Sequence, residues 1–114
     1  MTQDKPLARK KCIPCEEGGP PLIPEKAQEL LAQINPEWML IDGGRMLART
    51  FHFDNFMGPM ELANKIAAIA EEEGHHPDLT ISYGSLGVEL MTHAIGGLSE
   101  NDFIVAAKID QIGK

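Results

Sequence analysis

The chain has little that nucleotide-dependent or membrane-bound proteins need. In its 114 residues there is one Trp and one Tyr, and the formal net charge is −7. No apolar run approaches the ~20 residues that span a bilayer. The opening MTQDKPLARKKC has no apolar centre and does not read as a secretory signal. There is no Gly-rich phosphate loop, no G-x-S-x-G elbow and no dinucleotide fingerprint, which removes the commonest nucleotide-dependent and esterase chemistries. The acidic balance argues against non-specific nucleic-acid binding, because phosphates would be repelled. Two cysteines, Cys12 and Cys15, form a single C-x-x-C. A structural zinc usually takes four ligands, and a redox pair sits at a helix start in a βαβ setting; neither context is present. The expectation is two reduced thiols in a small cytoplasmic domain.

What is present is an ordinary hydrophobic fraction of 43%, enough for one core. Residues 1–21 carry Pro6, Pro14, Pro20, Pro21, a basic cluster (Arg9, Lys10, Lys11) and Gly18-Gly19. They read as a flexible N-terminal tail that holds no regular element. Residues 22–114 read as a single domain. After Pro24, the spacing of Ala27, Leu30, Leu31 and Ile34 predicts a helix. Trp38–Ile41 and Arg45–Phe53 read as strands around the turn Asp42-Gly43-Gly44. Asp54-Asn55 can cap a second helix, with Pro59 in its first turn, a stripe of Leu62, Ile66, Ile69 and Ala70 flanked by Ala63 and Ala67, and Gly74 as its stop. Leu79–Tyr83 and Leu86–His93 read as a second hairpin, and Ser99 opens a third helix. The order α-β-β-α-β-β-α implies an α+β fold: a four-stranded antiparallel sheet with helices packed on one face.

The four histidines carry the chemistry. Glu71, Glu72 and Glu73 crowd the last turn of the second helix, where negative charge is unfavourable. The plain reading is a solvated acidic end; the functional one is a carboxylate facing an imidazole. His75-His76-Pro77 then makes a corner in which Pro77 forces His76 to be extended, so the two imidazoles point in different directions. Strand alternation puts His93 opposite Val88 and Leu90, away from the core. Asp102 fits a capping box with Ser99, a structural role compatible with a second one in a site. His52, between Phe51 and Phe53, reads as structural. The residues alone leave two uses open for His75, His76 and His93 with Glu71 or Asp102. One is a metal site; the other is proton transfer by imidazoles that titrate near neutrality.

Taken in order, Glu71, His75-His76-Pro77, Tyr83, His93 and Asp102, with Trp38 and Phe51-His52-Phe53 upstream, resemble the signature of the pterin-4a-carbinolamine dehydratases. CIPCEEGGPPL resembles the tail of many microbial and plant members, and the likeness runs from about residue 12 onward. The resemblance implies dehydration of 4a-hydroxytetrahydrobiopterin, or a related tetrahydropterin 4a-carbinolamine, to the quinonoid dihydropterin, in tetrahydropterin recycling. It implies no metal and no organic cofactor, and a homodimer or homotetramer as the assembly. It makes His75 and His93 the acid–base pair, with His76 holding the pterin and assisting. Glu71 and Asp102 would orient or tune histidines, Trp38 would stand at the mouth of the site, and Pro77 and Tyr83 would belong to it. The alternatives are the same fold recruited as a non-enzymatic interaction or dimerisation-cofactor protein, or a small metal-binding protein.

Overall fold

The computed structural model describes residues 6–12 and 21–113. Its elements are α1 (Pro24–Leu31), β1 (Met39–Ile41), β2 (Met46–His52), α2 (Met57–Glu73), β3 (Asp78–Ser82), β4 (Ser85–Leu90) and α3 (Glu100–Ile112). The four strands form one antiparallel sheet in the order β1-β2-β4-β3. This is the expected α+β architecture, with the helices over one face. Among the described residues no helix is long and apolar enough to cross a membrane.

The core follows from strand alternation. Leu47 and Phe51 of β2 oppose Leu90 and Leu86 of β4, and all four are buried together with Ile66 of α2 and Phe103, Val105 and Ile109 of α3. Each such side chain contributes roughly 1.5–3 kcal/mol of burial free energy. The first hairpin turns where Gly43 and Gly44 supply positive φ of 67° and 87°, a backbone region that costs glycine little. In α2 the stripe Leu62, Ile66 and Ala70 is buried as expected, while Ala67 faces outward.

Three expectations change. Met39, not Trp38, begins β1; Trp38 is 2% exposed and donates its Nε1–H to Asp110 Oδ1 at 2.8 Å. Strand β4 ends at Leu90 rather than His93, because Thr92 leaves the ladder to pair with Gly97 and His93–Ile95 forms a 3-10 turn. The segment read as a tail without regular structure holds a 3-10 turn at Leu7–Arg9. Leu7 is buried in the core, and Lys108 Nζ donates to Ala8 O at 2.8 Å. Burying that one leucine and satisfying that carbonyl anchor a segment whose composition shows no periodicity.

Candidate active site

The site is built by two chain reversals and a helix start. At the end of α2, Gly74 takes the left-handed conformation (φ 67°), and both its N–H and that of His75 return to Ala70 O. The chain then leaves α2 through His75, His76 and Pro77 into β3. The two imidazoles diverge. His75 turns inward, with its side chain 12% exposed and Nε2 2.6 Å from Asp102 Oδ1. His76 turns outward, with Nε2 2.7 Å from Glu71 Oε2 in a pair that is largely solvated.

Asp102 lies in the first turn of α3, fully buried. A carboxylate removed from water needs several donors, and here it has them. Oδ2 accepts from Ser99 N–H at 2.9 Å and from the Thr92 hydroxyl at 2.8 Å, while Oδ1 faces His75. Thr92 Oγ1 also lies 2.7 Å from Ser99 Oγ. The capping box and the histidine contact therefore share one carboxylate. An ionised carboxylate only accepts, so His75 Nε2 carries the proton, and in the neutral ring Nδ1 is left as the acceptor. Nδ1 makes no hydrogen bond among the described residues.

Residues 92–97 close a small loop, held by Thr92 N–H to Gly97 O at 2.9 Å. Thr92 points inward to Asp102 and the next residue, His93, is exposed. The result is one cavity of about 480 Å³ whose wall includes His75, His76 and His93, together with Thr92, Met91 and Asn101. That volume suits a small bicyclic ligand.

Of the other residues singled out in the sequence, Glu71 and Asp102 stand behind the cavity as the partners of His76 and His75. Pro77 follows directly, half-buried, ahead of β3. Tyr83 is 74% exposed in the β3–β4 turn, where its hydroxyl donates to Asp54 O. The structure does not bring Tyr83 or Trp38 to the cavity. The partner of Trp38 is Asp110, eight positions along α3 from Asp102 and so roughly 12 Å away by helical rise. His52 lies exposed on the open face of the sheet. Sequence reasoning missed Thr92, Glu73 and Cys12 as parts of the site. Glu73 and Cys12 both line the cavity, and the Glu73 side chain is only 4% exposed. The excess of acid at the end of α2 was the one signal for Glu73.

As to metals, no three His, Cys, Asp or Glu side chains among the described residues form a group that could hold an ion. Cys15 lies outside the described residues, so the C-x-x-C pair cannot be placed whole.

A buried carboxylate paired with one histidine, a solvated carboxylate paired with a second, and a third histidine on the wall of the same cavity belong to one small α+β domain. The profile of the family described as pterin 4 alpha carbinolamine dehydratase matches residues 20–112, and the chain belongs to that family. It is 54% identical over 110 residues to a protein of Rickettsia bellii (strain OSU 85-389) named "Putative pterin-4-alpha-carbinolamine dehydratase", covering 96% of each chain. A protein of the same name from Methylococcus capsulatus is 49% identical, with 93% of this chain and 92% of that one covered. Among solved structures, one titled as a transcriptional coactivator/pterin dehydratase from Brucella melitensis superposes with a TM-score of 0.77 at 29% identity, covering 82% of this chain and 99% of that one. A second, titled as a pterin dehydratase-like RuBisCO assembly factor of the alpha-carboxysome, shares the fold with a TM-score of 0.58 at 22% identity, over 68% of this chain and 89% of that one.

Proposed function

We propose that this protein dehydrates a tetrahydropterin 4a-carbinolamine, such as 4a-hydroxytetrahydrobiopterin, to the quinonoid dihydropterin and water. The C4a–O bond breaks as the leaving oxygen takes a proton. The N5–H proton departs, and its electron pair forms the C4a=N5 double bond. One group must give a proton and another must take one, and imidazoles do both near neutral pH; positioned acid–base groups typically contribute 10²- to 10⁴-fold.

In this reading His75 and His93 are the acid–base pair. Asp102 fixes the His75 tautomer with Nδ1 as acceptor, so His75 is the base toward N5–H and His93 the acid toward the hydroxyl. His76, braced by Glu71, holds the pterin and assists. The observation that carries the proposal is that three histidines line one cavity of about 480 Å³, two of them paired with carboxylates, in a member of this family.

The protein is proposed to act in the cytoplasm, in tetrahydropterin recycling, as a homodimer or homotetramer. In support of assembly, β1 and β3 are sheet edges, and Met39, Phe56 and Met57 are exposed apolar side chains; sheet edges and apolar surface invite a partner.

The test is the decay of a freshly generated 4a-hydroxytetrahydropterin followed by absorbance. A rate well above the spontaneous one, proportional to protein concentration, supports the proposal. The spontaneous rate at all protein concentrations contradicts it.

A further inference from the structure

The family match begins at residue 20, yet a segment ahead of it reaches the histidine cavity. Pro6–Cys12 is tied to the domain along its length. Leu7 is 4% exposed in the core. Lys108 Nζ donates to Ala8 O at 2.8 Å, and Lys10 Nζ lies 2.6 Å from Glu100 Oε2. At the far end the Cys12 N–H donates to Glu73 Oε1 at 2.8 Å, and there Cys12 becomes part of the wall of the cavity that His75, His76 and His93 line.

Glu73 makes this more than a packing contact. Its side chain is 4% exposed at the cavity wall, and its second oxygen lies 3.7 Å from Lys108 Nζ. A carboxylate so far from water is retained only if donors compensate it. One donor is the backbone of the segment itself. The lysine that holds the segment's Ala8 carbonyl adds its positive charge nearby, at ion-pair rather than hydrogen-bond distance. Glu73 is also the last residue of α2, next to Gly74 and two before His75, so a single carboxylate sets the segment against the corner that carries the histidines.

We propose that Pro6–Cys12 is a specificity-determining wall of the substrate cavity, in which Cys12 bounds the space the pterin can fill and Glu73 is the positioning residue that holds it there. This rests on the dehydratase reading and extends it to a segment ahead of the profile match. A wall acts on how tightly substrate is held rather than on proton transfer, so it should be read in KM and in pterin affinity, not in kcat.

The experiment compares Cys12→Leu, Glu73→Ala and Glu73→Gln in the full-length protein. It measures KM and kcat for dehydration, and the Kd of 7,8-dihydropterin by fluorescence titration, with folding checked by circular dichroism. Cys12→Leu intrudes on the cavity, and a misfit of this size in a pocket is worth about tenfold or more. It is expected to raise KM and Kd about tenfold with kcat within about twofold. Glu73→Ala releases the Cys12 amide and should do the same, while Glu73→Gln, which keeps an acceptor oxygen, should restore near-normal values. Should Glu73→Ala not fold, Cys12→Leu decides alone. Unchanged KM and Kd in folded Cys12→Leu overturn the proposal, as does a loss confined to kcat. A wild-type protein that binds dihydropterin without dehydrating the carbinolamine contradicts the reaction but leaves the wall to be judged by Kd. A wild-type protein that does neither contradicts both.

Discussion

His75 and Asp102 meet at 2.6 Å between Nε2 and Oδ1, while the other oxygen of the same carboxylate closes the capping box of α3 through Ser99 N–H. Fold and site thus depend on one buried side chain, and the two dependences can be separated. In Asp102→Asn, the oxygen must face Ser99 N–H, which can only donate, so the amide NH₂ is turned toward His75 Nε2. The ring must then accept there and carry its proton on Nδ1, the opposite of the tautomer proposed for catalysis. The expected result is a fall in kcat of about tenfold or more with the α3 cap retained. It is checked by steady-state kinetics beside a urea unfolding curve; wild-type kcat would contradict it.

Thr92 is the hidden member of this network. Its hydroxyl donates to Asp102 Oδ2 and touches Ser99 Oγ, and the residue is 3% exposed. Thr92→Val keeps the shape and removes the hydroxyl. A buried carboxylate that loses one of its donors should cost about 1–3 kcal/mol of stability, seen as a lower urea midpoint with unchanged slope. The accompanying loss of kcat should be smaller than in Asp102→Asn, since the charge facing His75 stays.

Glu71 and His76 make the contrasting pair. Their side chains are 78% and 58% exposed, and solvated ion pairs contribute little to stability. Glu71→Gln should therefore leave the urea midpoint almost where it was. If the pair serves to orient His76, the same variant should raise KM several-fold. An unaltered KM would remove Glu71 from the site.

Far from the cavity, Arg49 points from β2 into the core side of the sheet. It lies 2.6 Å from Asp110 Oδ1 and 4.1 Å over the Phe51 ring centroid. Asp110 also accepts from Trp38 Nε1 and from Asn35 N–H, so this cluster fastens the loop after α1 and β2 to the end of α3. Arg49→Met breaks an ion pair whose side chains are only 13% and 16% exposed, and should cost about 3 kcal/mol. The urea midpoint should fall clearly, while KM and kcat of the remaining folded protein should not move. A large kinetic effect would mean that the cluster, Trp38 included, reaches the site after all.

Where the sequence could be read, one local signal decided the matter. Gly74 stops α2 because only a left-handed residue ends a helix that way, and Ser99 with Asp102 spells its own cap. Where it could not, the outcome depended on a partner distant in the chain. Glu71 and Glu73 are about 200° apart around a helix, so they were bound to face different neighbours. Nothing local says that one meets His76 and the other a segment some sixty residues upstream. Thr92 and His93 continue the alternation of β4 on paper, but the bridge from Thr92 to Gly97 ends the strand early. The threonine, unremarked in the sequence, meets Asp102 there. Leu7 sits alone among prolines and lysines, where no periodicity marks it as core. Trp38 matched a family position, yet in this chain its indole N–H is committed to Asp110.

In the proposed function, paired imidazoles on one cavity carry out the dehydration. The most direct measurement is the turnover of a 4a-hydroxytetrahydropterin by the His75→Ala/His93→Ala double variant, with its 7,8-dihydropterin affinity determined in parallel. Dihydropterin should bind within a few-fold of wild type while catalysed dehydration falls to the spontaneous rate. Each single variant should lose about 10²-fold or more. Turnover near the wild-type rate in the folded double variant would contradict it.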